Sequence, residues 1–87
     1  MRLSAKWMTL ADDRILEFLD QVGPRTPSKI AVDDRVRFSR TYINTRCVKL
    51  AQAGLVDNLG NGVYQINETG KDYLTGNLDA LDLIKPE

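Results

Sequence analysis

The sequence predicts a mainly α domain closed by a β-hairpin, on three observations. Apolar residues recur at helical spacing in three separate stretches before Gly54. Beyond it the spacing changes to alternation on either side of Gly60-Asn61-Gly62, a Gly/Asn turn of the kind that joins two strands. The charges, zero in formal sum over 87 residues, are segregated: Pro24 to Leu50 carries seven bases (Arg25, Lys29, Arg35, Arg37, Arg40, Arg46, Lys49) against Asp33 and Asp34. A basic block inside a neutral chain is an electrostatic footprint for a polyanion.

The first helix spans about Leu10 to Val22. Thr9 is placed to cap it, Asp12 and Asp13 sit in the first turn where the positive helix end favours them, and Gly23-Pro24 stops it. Leu10, Ile15, Phe18, Leu19 and Val22 are its expected inward residues, with Asp13, Arg14, Glu17 and Asp20 mostly outward. Thr26-Pro27 starts a short second helix, a capping hydroxyl followed by a proline at the first helical position, with Ile30 and Ala31 inward. Asp33-Asp34-Arg35 ends it by competing for backbone hydrogen bonds. The third helix, Arg40 to Ala53, is capped by Ser39 and closed by Gly54; Ile43, Cys47, Leu50 and Ala51 line its inner side. Subtracting that side leaves Arg40, Thr41, Asn44, Thr45, Arg46, Val48 and Lys49 for solvent or a partner.

Leu55 to Leu59 and Val63 to Asn67 are the two strands, and a two-stranded ribbon needs a helix beneath it, so Tyr64 and Ile66 are expected to pack on helix three. Asn67 caps a fourth helix over Glu68 to Leu74, which returns Tyr73 and Leu74 to the core. The tail from Gly76 carries Leu78, Leu81 and Ile84 at roughly helical spacing, with little core left to cover them.

Helix, helix, turn, helix and hairpin in that order make a winged helix-turn-helix: a three-helix core, a two-stranded wing, a short fourth helix and a C-terminal tail. The stretch SRTYINTRCVKLAQAGLVDNLGNGVYQINETGKDYL, Ser39 to Leu74, resembles the recognition helix, wing and closing helix of small prokaryotic transcriptional regulators, most strongly in AQAGLV and VYQINETGKDYL. More narrowly, ADDRILEFL, the SR-x-YI-x-x-RC-x-x-LA run and GNGVY are similar to a haloarchaeal family of phage phi-H type repressors, over most of Thr9 to Asp79. That resemblance implies a winged-helix repressor, or a plasmid or provirus regulator, with Arg40, Thr41, Asn44 and Thr45 on positions that face DNA in winged helices. Nine Asp against three Glu fit such an origin, whereas the neutral balance departs from the acidic habit of haloarchaeal proteins.

The side chains support double-stranded DNA as partner in their own right. Arg37 and Arg40 can present a two-pronged donor to guanine O6 and N7, and Asn44 can pair with adenine N6 and N7. Thr41 and Thr45 suit a base edge or a phosphate oxygen, while Lys29, Arg46 and Lys49 suit phosphates. The wing tip, Asn58 and Gly60 to Gly62, is without basic residues, so contact there rests on backbone N–H groups or Asn61. Tyr42 either stacks on sugar or base or packs against helix two. Cys47 is either a redox sensor or an inert core residue between Ile43 and Leu50.

With no histidine, one cysteine, no glycine-rich phosphate loop and no clustered carboxylates, the common catalytic and metal constellations cannot be assembled, and neither cofactor, metal nor small-molecule ligand is expected. Asp12-Asp13 and Asp33-Asp34 are expected as caps and surface charges. No run reaches the ~20 apolar residues of a membrane span, and Met1 to Leu10 has no apolar stretch of signal-peptide length; a cytoplasmic, non-enzymatic protein is expected. The chain divides into an N-terminal extension (1–8), a DNA-binding domain (9–75) and a tail (76–87). Leu3, Trp7 and Met8 at one end and Leu78, Leu81 and Ile84 at the other are candidates for a homodimer interface. The competing reading is a winged-helix module for protein–protein contact in a transcription or replication assembly.

Overall fold

The computed structural model describes residues 2–80, 83 and 86, and in it each helix begins where a side chain takes up a free backbone N–H. α1 (Leu10–Val22) opens at Thr9, whose own N–H donates to Asp12 Oδ2 at 2.8 Å, and closes at Gly23. α2 (Pro27–Ala31) opens at Thr26, whose Oγ1 accepts from the Lys29 N–H at 3.3 Å. α3 (Arg40–Gln52) opens at Ser39, whose Oγ accepts from the Tyr42 N–H at 3.2 Å. It closes on Gly54 at φ 83°, where the Leu55 N–H reaches Leu50 O at 3.0 Å and the Gly54 N–H reaches Ala51 O at 3.1 Å. Those two bonds satisfy carbonyls the helix itself leaves open and turn the chain into the first strand.

β1 (Val56–Asn58) and β2 (Tyr64–Ile66) run antiparallel, with Val56 opposite Ile66 and Asn58 opposite Tyr64. Both strands are shorter than the alternation predicts, because positive φ at Gly60, Asn61 and Gly62 turns the chain out of the ladder just beyond the Leu59 N–H to Val63 O bond at 2.8 Å. Tyr64 is also held from its other side by Arg25, in the α1–α2 link, through reciprocal N–H···O bonds of 3.0 and 2.9 Å. This bridge ties the wing to the start of α2. α4 (Glu68–Thr75) follows directly, capped by Asn67 Oδ1 accepting from the Gly70 N–H at 2.9 Å. The chain is thus a winged-helix domain, mainly helical, with four helices and one hairpin.

The core lies between α1, α3, α4 and the hairpin. Ile15, Leu16 and Leu19 from α1 meet Ile30, Ile43, Cys47, Leu50, Leu55, Val56 and Tyr73, all buried. Tyr64 and Ile66 are buried too, as the strand alternation predicts. Leu10 corrects the sequence reading, being 60% exposed. At about 100° per residue it shares a face with Arg14 and Glu17, whereas Ala11, Ile15 and Leu19 line the buried side. That same side carries Asp12, which is wholly buried rather than a surface charge.

The two ends of the chain pack on this core. Leu3 bridges Asp79, the Ala80 N–H donates to Leu3 O at 2.9 Å, and Ala5 and Ala80 are buried. Trp7, Met8 and Leu78 lie half-buried against the core, which corrects the expectation of an uncovered stripe at Leu78; Leu81 and Ile84 lie outside the described residues. Arg2 adds an ion pair to Glu17 at 2.9 Å and a bond to Leu74 O at 3.2 Å. Among the described residues no helix is long and apolar enough to cross a membrane.

Gly70 marks the tightest approach of α4 to the hairpin. A Cβ there would collide with Leu55 O and stand 2.6 Å from Ile66 Cγ1. Helix propensity favours alanine by about 1 kcal/mol, but overpacking costs about 1–3 kcal/mol, and a backbone oxygen yields little. Gly70→Ala is expected to lower unfolding free energy by about 1–2 kcal/mol in a urea melt; an unchanged or raised midpoint would show that α4 can lift off the wing.

Candidate nucleic-acid interface

α3 divides into three flanks at about 100° per residue. Ile43, Cys47 and Leu50 are buried against the core. Arg40, Thr41, Asn44, Thr45 and Val48 are exposed on the far side. Between the two run Tyr42 and Arg46, one turn apart.

The exposed flank forms one wall of a groove of about 490 Å³ lined by Arg40, Thr41 and Asn44 from α3, Thr26, Pro27 and Ser28 from the start of α2, and Asn61 and Gly62 from the wing tip. Hydroxyl, amide and guanidinium groups converge on it. The side chains of Arg40, Asn44, Ser28 and Asn61 have no hydrogen-bond partner among the described residues, which leaves their donors for a ligand. Such a set suits an anionic, hydrogen-bonding surface far better than an apolar one.

Ion pairing decides which members of the basic block face outward. Arg35 closes a fork on Asp33, Nε to Oδ1 at 2.8 Å and Nη2 to Oδ2 at 2.9 Å, and lies over the Phe18 ring at 4.8 Å. The Arg35 side chain holds the Asp33 carboxyl down at about 2. Arg46 is neutralised more completely: Nε donates to Asp12 Oδ1 at 2.8 Å, and Nη2 donates to Asp12 Oδ2 at 2.6 Å and to Trp7 O at 3.0 Å. This corrects its reading as a phosphate contact, since the residue is 8% exposed and its fork is engaged inside the fold. The bond to Asp12 raises the guanidinium pKa further. Arg25, Lys29, Arg37 and Arg40 remain exposed with no carboxylate partner among the described residues.

The other expected residues are placed as follows. Arg40, Thr41, Asn44, Asn61 and Gly62 come together on the groove. Thr45 is exposed one turn beyond Thr41, its Oγ1 donating to Thr41 O at 3.1 Å. Lys29 is exposed on α2 and Lys49 is half-buried on the last turn of α3. Arg37 sits in the turn before α3 at φ 61° with its Nε donating to Asp34 O at 3.0 Å, and it does not line the groove. Asn58 is turned to the wing, its Oδ1 accepting from the Gly60 N–H at 2.9 Å. Tyr42 packs on Phe38, ring centroids 5.6 Å apart, and its hydroxyl donates to Thr9 Oγ1 at 3.3 Å. Thr26 and Ser28 were not legible as groove residues, because what brings the start of α2 opposite the wing tip is the single-residue Arg25–Tyr64 bridge, too short to leave an alternation signal.

Comparison with known proteins agrees with the winged-helix fold. Residues 1–85 match the family model for the winged helix-turn-helix phage repressor. The crystal structure of the PhiH1 repressor-like protein from Haloarcula marismortui is similar at a TM-score of 0.89 and 44% sequence identity, covering 92% of this chain and 91% of that one. No curated protein matches.

Cys47 lies on the buried flank of α3, and burial pushes its thiol up to about 12. A thiol raised in the folded state stays protonated, hence unreactive, at neutral and mildly alkaline pH. Stability linked to it is present below the unfolded value of about 8.5 and declines as pH rises toward 12. At pH 8 a disulfide-exchange reagent is expected to leave the native thiol untouched and to titrate one equivalent in denaturant; rapid native labelling would contradict the burial.

Proposed function

Since the chain belongs to the family of winged helix-turn-helix phage repressors, we propose that it is a sequence-specific regulator that binds double-stranded DNA with α3 in the major groove and represses transcription by occluding its site. The observation that supports this best is the groove where the side chains of Arg40, Thr41 and Asn44, without hydrogen-bond partners among the described residues, stand opposite Asn61 and Gly62. At ~1.5 Å per residue, the 13 residues of α3 span about 20 Å, enough to lie along a major groove. Arg40 and Asn44 read base edges, Thr41 and Thr45 bind base or phosphate, and Lys29, Arg25 and Lys49 hold the backbone. Arg37 reaches DNA from the turn before α3. The uncharged wing tip adds hydrogen bonds and little electrostatic attraction. No catalytic step is part of this role, and the regulator acts in the cytoplasm of an archaeal cell.

A homodimer belongs to the same reading. Leu3 is 45% exposed where the two ends of the chain meet at Asp79, an apolar side chain that a second copy could cover. A C2 pair would read an inverted repeat with half-sites about one turn, ~34 Å, apart.

Selection of bound fragments from a random DNA pool, repeated across salt, tests the partner class. A discrete motif is expected, with log affinity falling against log salt by about 0.9 per phosphate neutralised. Arg40→Ala and Asn44→Ala should each cost about 1–3 kcal/mol on that motif and relax discrimination at one position. Salt-insensitive, sequence-blind binding would favour the protein-contact module instead. Sedimentation should give a dimer mass that falls to monomer when Gly76 to Glu87 are removed; an unchanged mass would take the tail out of the interface.

A further inference from the structure

We infer that Arg46 and Tyr42 are positioning residues that set the rotation of α3 about its own axis, and through it the aim of Arg40 and Asn44, by tethering the helix to the N-terminal turn of α1. The inference rests on the DNA-binding reading above and assigns specificity to residues that touch no DNA.

The core alone holds α3 weakly against rolling. Its buried side is a narrow apolar flank of Ile43, Cys47 and Leu50, and apolar contact is non-directional, so these side chains resist lifting of the helix more than rotation. The opposite side carries the groove donors and is open. Directional bonds occur on the flank between. Arg46 makes three of them, two to Asp12 at 2.8 and 2.6 Å and one to Trp7 O at 3.0 Å, and one turn earlier the Tyr42 hydroxyl reaches Thr9 Oγ1 at 3.3 Å. All four land within residues 7–12.

That landing site is itself rigid. Asp12 Oδ2 accepts from the Thr9 N–H at 2.8 Å as well, so one carboxylate caps α1 and receives the guanidinium fork. The planar fork fixes orientation as well as distance, which a lysine cannot do. With side-chain tips about 5–6 Å from the helix axis, a roll of about 10° moves a donor by about 1 Å. Hydrogen-bond distances to a base edge tolerate only about half an ångström, so a small roll is enough to lose base readout while phosphate attraction persists.

The test compares the full-length wild type with Arg46→Lys, the double variant Asp12→Asn/Arg46→Met, and Tyr42→Phe. Affinity is measured for the selected motif and for scrambled DNA across salt, below each variant's melting transition. Arg46→Lys keeps the charge and loses the fork. The double variant removes both charges together and keeps an acceptor for the Thr9 N–H. Tyr42→Phe removes only an exposed hydroxyl, so its fold is secure. The motif-to-scrambled ratio is expected to fall about tenfold or more in the first two and about two- to threefold in Tyr42→Phe, with scrambled-DNA affinity and salt slope as in the wild type. A salt slope reduced by about 0.9 in the double variant would make Arg46 a phosphate contact and overturn the inference. Ratios that stay at the wild-type value in the variants would reduce the tethers to stability alone and also overturn it. A wild type without site preference removes the regulator reading and this inference together, so the two failures are distinguishable.

Discussion

The buried pair between Asp12 and Arg46 joins the parts of this domain that sequence order keeps separate. It bonds the first turn of α1 to the second turn of α3, 34 residues away, and draws in the Trp7 carbonyl. Taking two charges out of water is costly, and a buried pair compensates only when its hydrogen bonds are complete. Here the buried ones are: both carboxylate oxygens and two of the three guanidinium nitrogens are engaged, and among the described residues no buried side-chain polar atom lacks a partner. Breaking such a pair on one side typically costs about 3–5 kcal/mol, comparable to a large share of the stability of a domain this small. Geometry therefore follows from it more surely than net stability does.

Charge partition follows from the same constraint. Asp12 and Asp33 each withdraw one arginine from the basic block, one into the core and one onto the α1–α2 surface over Phe18. What stays exposed with no carboxylate partner among the described residues is Arg25, Lys29, Arg37 and Arg40, about the start of α2 and the start of α3. The polyanion footprint is thus smaller and more localised than the count of seven bases implies. The other acidic residues of the two flanking segments lie outside the basic block in sequence, so a neutral total conceals a segregation of charge along the chain.

The wing contributes by placement rather than charge. Its ladder is only three residues long on each strand, yet Tyr64, opposite Asn58 in the hairpin, turns both its N–H and its C=O to Arg25 on the other side. Asn67 reinforces the base of the hairpin, donating to Gly54 O at 2.9 Å and to Asp57 Oδ1 at 3.2 Å while capping α4. Tyr73 adds a bond from its buried ring to Asp13 at 2.7 Å, locking α4 to α1. A short hairpin held at so many points can present Asn61 and Gly62 to the groove without a long ladder of its own.

Local chemistry was legible in the residues themselves. Thr9, Thr26, Ser39 and Asn67 mark the helix starts, Gly54 and the Gly60-Asn61-Gly62 turn mark the changes of direction, and the spacing of Ile43, Cys47 and Leu50 identifies the buried side of α3. These signals depend on neighbours within a turn or two, so they survive in one dimension, and they suffice for the winged-helix fold and for Arg40, Thr41 and Asn44 on its outer face. The fate of Arg46, the burial of Asp12, the seat of Tyr42 and the joining of Thr26–Ser28 to the wing tip depend on which distant element arrives beside them. An arginine at the edge of an apolar stripe reads the same whether it faces water or a carboxylate from another helix. Only packing α1 across α3 decided between them, because the desolvation of a charge is settled by what surrounds it in space.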